Sequence, residues 1–167
     1  VYAVVNQKGG VGKTTTAVNL ASCAALDGAR VLLVDLDAQG NASSGLGVER
    51  ANIAGSMFDV VTAADPSDGA RTMEEIVVPT EVAGLSVCPA TIDLAGVDLS
   101  LANAIARELR LRQALVGVRQ KYDLIIVDTG PSLGILTINA LAASDWVLVP
   151  IQCEYYALEG LSQLLQV

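Results

Sequence analysis

The sequence predicts an α/β fold in which a mainly parallel sheet is flanked by helices. Two observations predict it: short apolar runs recur along the 167 residues, and helix-like stretches separate them. Several of the apolar runs are continuous rather than alternating, as expected for parallel strands covered on both faces. At 167 residues the chain is long enough to bury a sizeable core, and 52% of its residues are hydrophobic. We therefore expect residues 1–167 to form a single domain.

The strands and helices alternate along the chain. The predicted strands are Val1–Val5, Arg30–Val34, Leu85–Cys88, Leu124–Val127 and Trp146–Val149. The predicted helices are Thr14–Leu26 with Gly28 as its cap, one or two within Leu94–Lys121, Ile135–Ala143, and a last one that begins near Ala157. The acidic stretch Glu49–Gly84, which contains two prolines, predicts surface loops and short helices.

The composition excludes several classes of function. The chain contains no histidine, which excludes a Ser-His-Asp triad, a histidine general base and any histidine-bound metal within it. A net charge of −8 makes the surface as a whole a poor candidate for binding a phosphate backbone. No apolar run reaches the roughly 18 residues that a bilayer span requires. The three cysteines are far apart, and we interpret them as buried, reduced thiols of a cytosolic protein.

The strongest local signal is the glycine-rich segment from Asn6 to Thr16, which follows a predicted strand and opens a predicted helix. Glycines let the backbone turn its N–H groups toward phosphate oxygens, and the helix N-terminus adds partial positive charge. Lys13 is expected to reach the β- and γ-phosphates of a nucleotide, and the Thr14 hydroxyl to bind Mg²⁺. The residues expected to bind the nucleotide are Lys8, Gly9, Gly10, Val11, Gly12, Lys13, Thr14 and Thr15.

One position departs from the general phosphate-loop pattern, which requires glycine where this chain has Gln7. The chain instead places an extra lysine, Lys8, before the glycine pair. The run from Lys8 to Thr14 resembles the deviant Walker A motif of the ParA/Soj/MinD family of P-loop ATPases. The resemblance implies a three-layer P-loop NTPase fold, with ATP and Mg²⁺ as cofactors. It also implies a homodimer in the ATP state, in which Lys8 crosses the interface to the nucleotide of the other subunit.

Acidic residues follow two of the apolar strands. Asp35 and Asp37 end one strand, and their spacing places both side chains on one face if the strand persists. Asp128 ends another, and all three would lie at the carboxyl ends of parallel strands, where α/β folds bind ligands. From the residues alone, each acid could instead cap a turn. Gly130 follows Asp128 closely and is expected to loosen that loop.

The resemblance gives these acids separate roles. It implies that Asp37 positions the attacking water, that Asp35 supports the magnesium shell, and that Asp128 holds Mg²⁺, usually through water. The implied catalytic residues are Lys8, Lys13 and Asp37, and the implied metal-binding residues are Thr14, Asp35 and Asp128. A weak ATPase is expected, because the chain offers no histidine or other strong general base.

Two further segments, Pro89–Leu94 and Pro150–Gly160, also resemble the chromosome- and plasmid-partitioning branch of this family. The second follows a strand end and could line the nucleotide or the dimer face, or could simply begin a helix with aromatic packing. Half of the basic residues lie within Arg107–Lys121, where we favour a solvated helix face over a DNA-binding patch.

The resemblance implies an ATP-dependent partitioning switch. ATP would close a dimer that binds DNA nonspecifically, and a ParB-like partner would stimulate hydrolysis. It further implies a cytoplasmic, nucleoid-associated protein without membrane contact, of which this chain is the N-terminal part, truncated before the end of the family domain. The basic DNA-binding residues would lie in the missing part.

Three alternatives stay open at this point. One is a MinD-like division-site ATPase that docks on membranes through an amphipathic C-terminal helix. Another is a scaffold that binds nucleotide without turnover. A redox protein like the nitrogenase iron protein is disfavoured, because no cysteine closely follows Asp128. Gln7 and the run Glu154–Tyr156 favour the partitioning branch.

Overall fold

The computed structural model describes residues 1–49, 53–63 and 71–153. Within them, six strands form one sheet in the order β3-β4-β2-β5-β1-β6, and every pair is parallel except β3 with β4. The strands are β1 (Tyr2–Val4), β2 (Val31–Leu36), β3 (Val78–Pro79), β4 (Leu85–Cys88), β5 (Leu124–Thr129) and β6 (Trp146–Leu148). The helices are α1 (Lys13–Leu26), α2 (Asn41–Gly45), α3 (Met57–Thr62), α4 (Met73–Ile76), α5 (Val97–Ser100), α6 (Arg110–Leu115) and α7 (Ile135–Ala143). The predicted α/β fold with a mainly parallel sheet is confirmed.

The central strand β2 is buried on both faces, as its continuous apolar run predicts. Val31 and Leu33 pack in one core cluster with three alanines of α1. Leu32 and Val34 pack in a second cluster, with apolar residues of α3, α6 and α7. Alternate residues of a strand point to opposite faces, so these two clusters are the two helical layers on either side of the sheet.

The region from Leu94 to Lys121 forms short pieces rather than the one or two helices predicted there. Besides α5 and α6, it contains 3₁₀ turns at Ile92–Gly96, Arg107–Leu109 and Arg119–Lys121. Its buried residues fall in two groups around Leu101 and Leu111, which a continuous helix would place about 80° apart. Ala106 has a φ of 51° and turns the chain between them, so both groups reach the core.

The basic residues of this region do not form the single solvated helix face that the sequence predicted. They are divided between α6 and the 3₁₀ turns on either side of it. Arg119 pairs with Asp145 at 2.7 Å, and Lys121 pairs with Glu74 at 3.4 Å. These ion pairs lie at the surface and join the region to neighbouring elements.

The stretch from 49 to 84 forms short helices, as predicted where it is described, and also the two-residue strand β3, which the sequence did not predict. Pro79 suits this strand because β3 lies at an edge of the sheet. At the opposite edge, Trp146 of β6 is 64% exposed and stacks on Tyr2 with ring centroids 6.4 Å apart. The helix expected near Ala157 lies outside the described residues.

Two further observations concern the cysteines and the helices. All three cysteines are free, but only Cys88 is buried, so the expectation of buried thiols is wrong for Cys23 and Cys153. Cys23 lies on the exposed side of α1, and Cys153 comes after the edge strand β6. Across the described ranges, no helix has both the length and the apolar character that crossing a membrane demands.

Candidate functional site

The glycine-rich segment connects β1 to α1 at the carboxyl edge of the sheet. Gly10 and Gly12 have φ values of 73° and 88°, which residues with a side chain rarely adopt. Gly12 is also the N-cap of α1, so the loop ends at a helix terminus with partial positive charge. Among the described residues, no acceptor takes the amide N–H groups of Gly9, Gly10 or Gly12. These groups are therefore available to bind an anion.

The loop carries one buried and one exposed lysine. Lys13, the first residue of α1, is only 6% exposed, and its Nζ donates a hydrogen bond to the backbone oxygen of Lys8 at 3.1 Å. Burial lowers the pKa of Lys13, while the nearby carboxylates of Asp128 and Asp37 act in the opposite direction. Lys8 itself is exposed.

Asp128 lies beneath this loop, because β5 pairs with β1 on one side and β2 on the other. Its carboxyl is completely buried, and within the described residues neither oxygen has a hydrogen-bond partner. Burial raises the pKa of Asp128 to about 7. The Thr14 hydroxyl is near enough to lower this pKa, although it does not meet hydrogen-bond geometry. A buried carboxylate without hydrogen bonds is costly, so the site is of the kind that a bound cation completes.

Asp35 lies beside Asp128 in the sheet register and is equally buried, but its oxygens are occupied. Its Oδ2 accepts hydrogen bonds from the backbone N–H and the hydroxyl of Ser43, at 2.8 and 2.7 Å. Its Oδ1 accepts one from the N–H of Asp37 at 3.1 Å. Burial raises the pKa of Asp35, while the bonds from Ser43 lower it. In these contacts Asp35 holds the turn between β2 and α2.

Asp37 lies just past the end of β2, which stops at Leu36, so the two acids do not share one strand face as expected. The carboxylate of Asp37 is partly exposed and accepts the N–H of Gln39 at 3.0 Å. Gly130 faces it: a Cβ at residue 130 would lie 3.4 Å from the Asp37 Cγ. That distance is an ordinary van der Waals contact, so the loop after β5 lies against Asp37 without requiring a glycine there.

The structure brings Lys13, Asp37 and Asp128 near one another, since each carboxylate affects the pKa of the lysine. In the described part of the chain, no three cysteine, aspartate or glutamate side chains converge closely enough to hold a metal ion. A magnesium ion at Asp128 would therefore need further oxygen ligands from phosphate or water, which is the usual manner of Mg²⁺ binding in nucleotide sites.

Two polar residues without a role in the sequence analysis join the loop to the segment after β6. Asn6 accepts the backbone N–H of Lys8 at 2.9 Å and donates to the backbone oxygen of Pro150 at 2.8 Å. Gln152 donates to the backbone oxygen of Gly10 at 3.1 Å. The first residues of the segment 150–160 therefore contact the phosphate loop, while residues 154–160 lie outside the described part. An amide residue between an apolar strand and a glycine loop was the available signal for Asn6.

A family model described as "AAA domain" matches residues 1–167. The chain is 57% identical over 165 residues to the sporulation initiation inhibitor protein Soj of Bacillus subtilis, covering 99% of this chain and 63% of that protein. It is 54% identical over 164 residues to the chromosome partitioning protein ParA of Myxococcus xanthus, covering 98% and 56%. The chain thus spans about three fifths of the length of the curated relatives it matches.

Solved structures match over nearly the whole chain. One is cobyrinic acid a,c-diamide synthase from Mycobacterium smegmatis with bound ADP and magnesium, with a TM-score of 0.90 and 40% identity, covering 99% of this chain and 64% of that one. Another is a putative plasmid partition protein from Borrelia burgdorferi bound to AMPPNP, with a TM-score of 0.85 and 26% identity, covering 99% and 66%.

The sheet with helices on both faces, together with the loop at its carboxyl edge, defines a P-loop nucleotide-binding fold. The deviant loop with its extra lysine, together with the family match over every residue, narrows the class further. The chain belongs to the ParA/Soj family of P-loop ATPases.

Proposed function

We propose that the protein is an ATP-driven partitioning switch that binds ATP with Mg²⁺ and hydrolyses it slowly. The observation that carries this proposal is the buried carboxylate of Asp128, without a hydrogen-bond partner in the described chain and close to the buried ammonium of Lys13. Such a site is incomplete without a cation, and the open amides of the loop above it suit phosphate. The names of the Soj, ParA and plasmid partition relatives support partitioning as the process.

The residues take the following roles in this proposal. The loop amides and Lys13 hold the phosphates, and Thr14 and Asp128 hold the magnesium ion, with Asp35 fixing the adjacent turn. A magnesium ion bound there supplies positive charge to the phosphates. Asp37, at the exposed end of the site, orients the attacking water. The bound ADP and magnesium of the Mycobacterium smegmatis structure support this cofactor pair.

Nucleotide binding is tested with Lys13→Ala, and the exposed Lys121→Ala serves as a matched lysine control. We expect Lys13→Ala to weaken binding of MgATP at least roughly tenfold in titration calorimetry, because a charge-assisted contact to phosphate is lost. Lys121 pairs with Glu74 at the surface, so its replacement should leave the affinity as in wild type. Unchanged affinity in Lys13→Ala would overturn the phosphate-loop assignment.

The proposal extends to assembly and partners. Lys8 would reach the nucleotide of a second subunit, so ATP, but not ADP, would produce a homodimer. That dimer would bind DNA nonspecifically, respond to a ParB-like partner, and act in the cytoplasm on the nucleoid rather than on a membrane. The whole of 1–167 would serve as part of one ATPase domain.

Sedimentation with Mg²⁺ and either ATP or ADP tests this step, for wild type and Lys8→Ala. A dimer formed only with ATP and lost in Lys8→Ala would support the switch. Dimerisation that does not depend on Lys8 would contradict it. Flotation with anionic vesicles tests the membrane-docking alternative, and measurable ATP turnover separates the switch from a scaffold that only binds nucleotide.

A second candidate follows from the name of the Mycobacterium smegmatis structure, whose similarity to this chain is high. It is formation of the a,c-diamide of cobyrinic acid. The identity to that structure is 40%, below the 57% to Soj, so we rank it second. Incubation with cobyrinic acid, ATP and an amide donor, followed by mass spectrometry, decides the matter: a diamide product would favour this candidate over partitioning.

A further inference from the structure

Asn6 occupies the junction between β1 and the phosphate loop. Its side chain is 7% exposed, and both ends of its amide are used. The Oδ1 accepts the backbone N–H of Lys8 at 2.9 Å, and the Nδ2 donates to the backbone oxygen of Pro150 at 2.8 Å. Pro150 lies 144 residues further along the chain, after the edge strand β6. Asn6 therefore connects the loop to an otherwise separate part of the fold.

The backbone of Lys8 is held on both sides. Its N–H donates a hydrogen bond to the Oδ1 of Asn6, and its carbonyl oxygen accepts a hydrogen bond from the Lys13 ammonium at 3.1 Å. The position of the Lys8 backbone therefore affects both lysines: it sets where the Lys8 side chain leaves the loop, and it provides the acceptor for the Lys13 ammonium. Because the Lys8 N–H already donates to Asn6, Lys8 can bind a phosphate through its side chain but not through its amide N–H.

We propose that Asn6 is a positioning residue that holds the Lys8 backbone and thereby places the two lysines of the loop for phosphate binding. This inference rests on the proposed nucleotide-binding function. An amide of this length supplies one donor and one acceptor at once, which the contacts to Pro150 and Lys8 both require. Alanine removes both contacts, whereas aspartate keeps only the acceptor for the Lys8 N–H.

The test measures MgADP affinity by calorimetry and hydrogen exchange of the nucleotide-free protein. Asn6→Ala should weaken MgADP binding by about tenfold, the effect of losing one well-placed hydrogen-bond network, and should speed exchange at the Lys8 amide. Exchange in β2 should stay slow, because a local change in the loop leaves the core intact. Asn19→Ala is the matched control, since Asn19 is an exposed asparagine of α1 whose side chain, among the described residues, donates to the Thr15 carbonyl.

Asn6→Asp provides a second readout if the alanine variant does not fold. It retains the acceptor, so the Lys8 amide should remain protected from exchange. Fast exchange at Lys8 in Asn6→Asp, or wild-type MgADP affinity in a folded Asn6→Ala, would overturn the positioning role. Failure of the wild-type protein to bind MgADP would instead overturn the proposed function, so the two failures are distinguishable.

Discussion

Replacement of Asp128 by asparagine should stabilise the protein at neutral to alkaline pH when magnesium and nucleotide are absent. The wild-type carboxyl is completely buried and has no hydrogen-bond partner in the described chain, so ionising it opposes folding. An asparagine of nearly the same shape removes that charge. The gain should therefore depend on pH in a predictable way.

The sign follows from the pKa of Asp128, which burial raises from 3.8 to about 7 in the folded protein. Between these values the folded state binds the proton more tightly, so the contribution of Asp128 to stability is greatest below about pH 4 and is lost as the pH rises to 7. A rise of about three pKa units at about 1.4 kcal/mol each is worth roughly 4 kcal/mol. The buried asparagine amide costs about 1–3 kcal/mol if it stays unpaired, which leaves a net gain of roughly 1–3 kcal/mol at pH 8.

Urea unfolding in the presence of EDTA at pH 5, 6, 7 and 8 measures this difference. Asp123→Asn is the control: Arg30 lowers the pKa of this exposed carboxylate to about 2, so its contribution is complete above pH 4 and constant from pH 5 to 8. The gap between Asp128→Asn and wild type should widen over the same range. A gap that stays constant, or that narrows with rising pH, would show that Asp128 is not a desolvated acid.

Two further changes test neighbouring groups. Asp37→Ala should keep ATP binding and ATP-dependent dimerisation but lose ATP turnover in a phosphate-release assay. Asp27→Ala, at an exposed aspartate, is the control. Retained turnover in Asp37→Ala would assign the water-positioning role to another residue. Ser43→Ala removes a 2.7 Å donor to the buried Asp35 and should destabilise the protein by about 1–3 kcal/mol. Because that donor lowers the pKa of Asp35, the loss of stability in Ser43→Ala should grow with pH in urea unfolding. The exposed control Ser44→Ala should show neither effect. A loss of stability in Ser43→Ala that does not depend on pH would contradict the hydrogen bond from Ser43 to an ionised Asp35.

The strands and the acids at their ends were predictable because burial on both faces of a parallel sheet selects continuous apolar runs. Such runs are visible in the sequence before Asp35 and Asp128, and the register then brings these two residues side by side. The apolar runs do not reveal which of the two carboxylates accepts hydrogen bonds from other residues of the chain. Ser43, eight residues after Asp35, settles that through a turn whose geometry no periodicity encodes.

The region from 94 to 121 was predictable only in part, because its apolar residues fit helices locally but not as one continuous face. The sequence already shows that Leu101 and Leu111 would lie on different sides of one continuous helix. The left-handed turn at Ala106, by contrast, depends on tertiary packing. Asn6 likewise acquires its role from a residue far along the chain, Pro150.

The edge strand β6 has a practical consequence for spectroscopy. Trp146 is the single tryptophan of the chain, is largely exposed, and stacks on Tyr2 of the neighbouring strand β1. Both strands lead directly into the two segments that Asn6 joins, one toward the phosphate loop and the other toward Pro150. Tryptophan emission therefore originates from one known position at this junction, and the native protein supplies a fluorescence signal there without a label or a substitution.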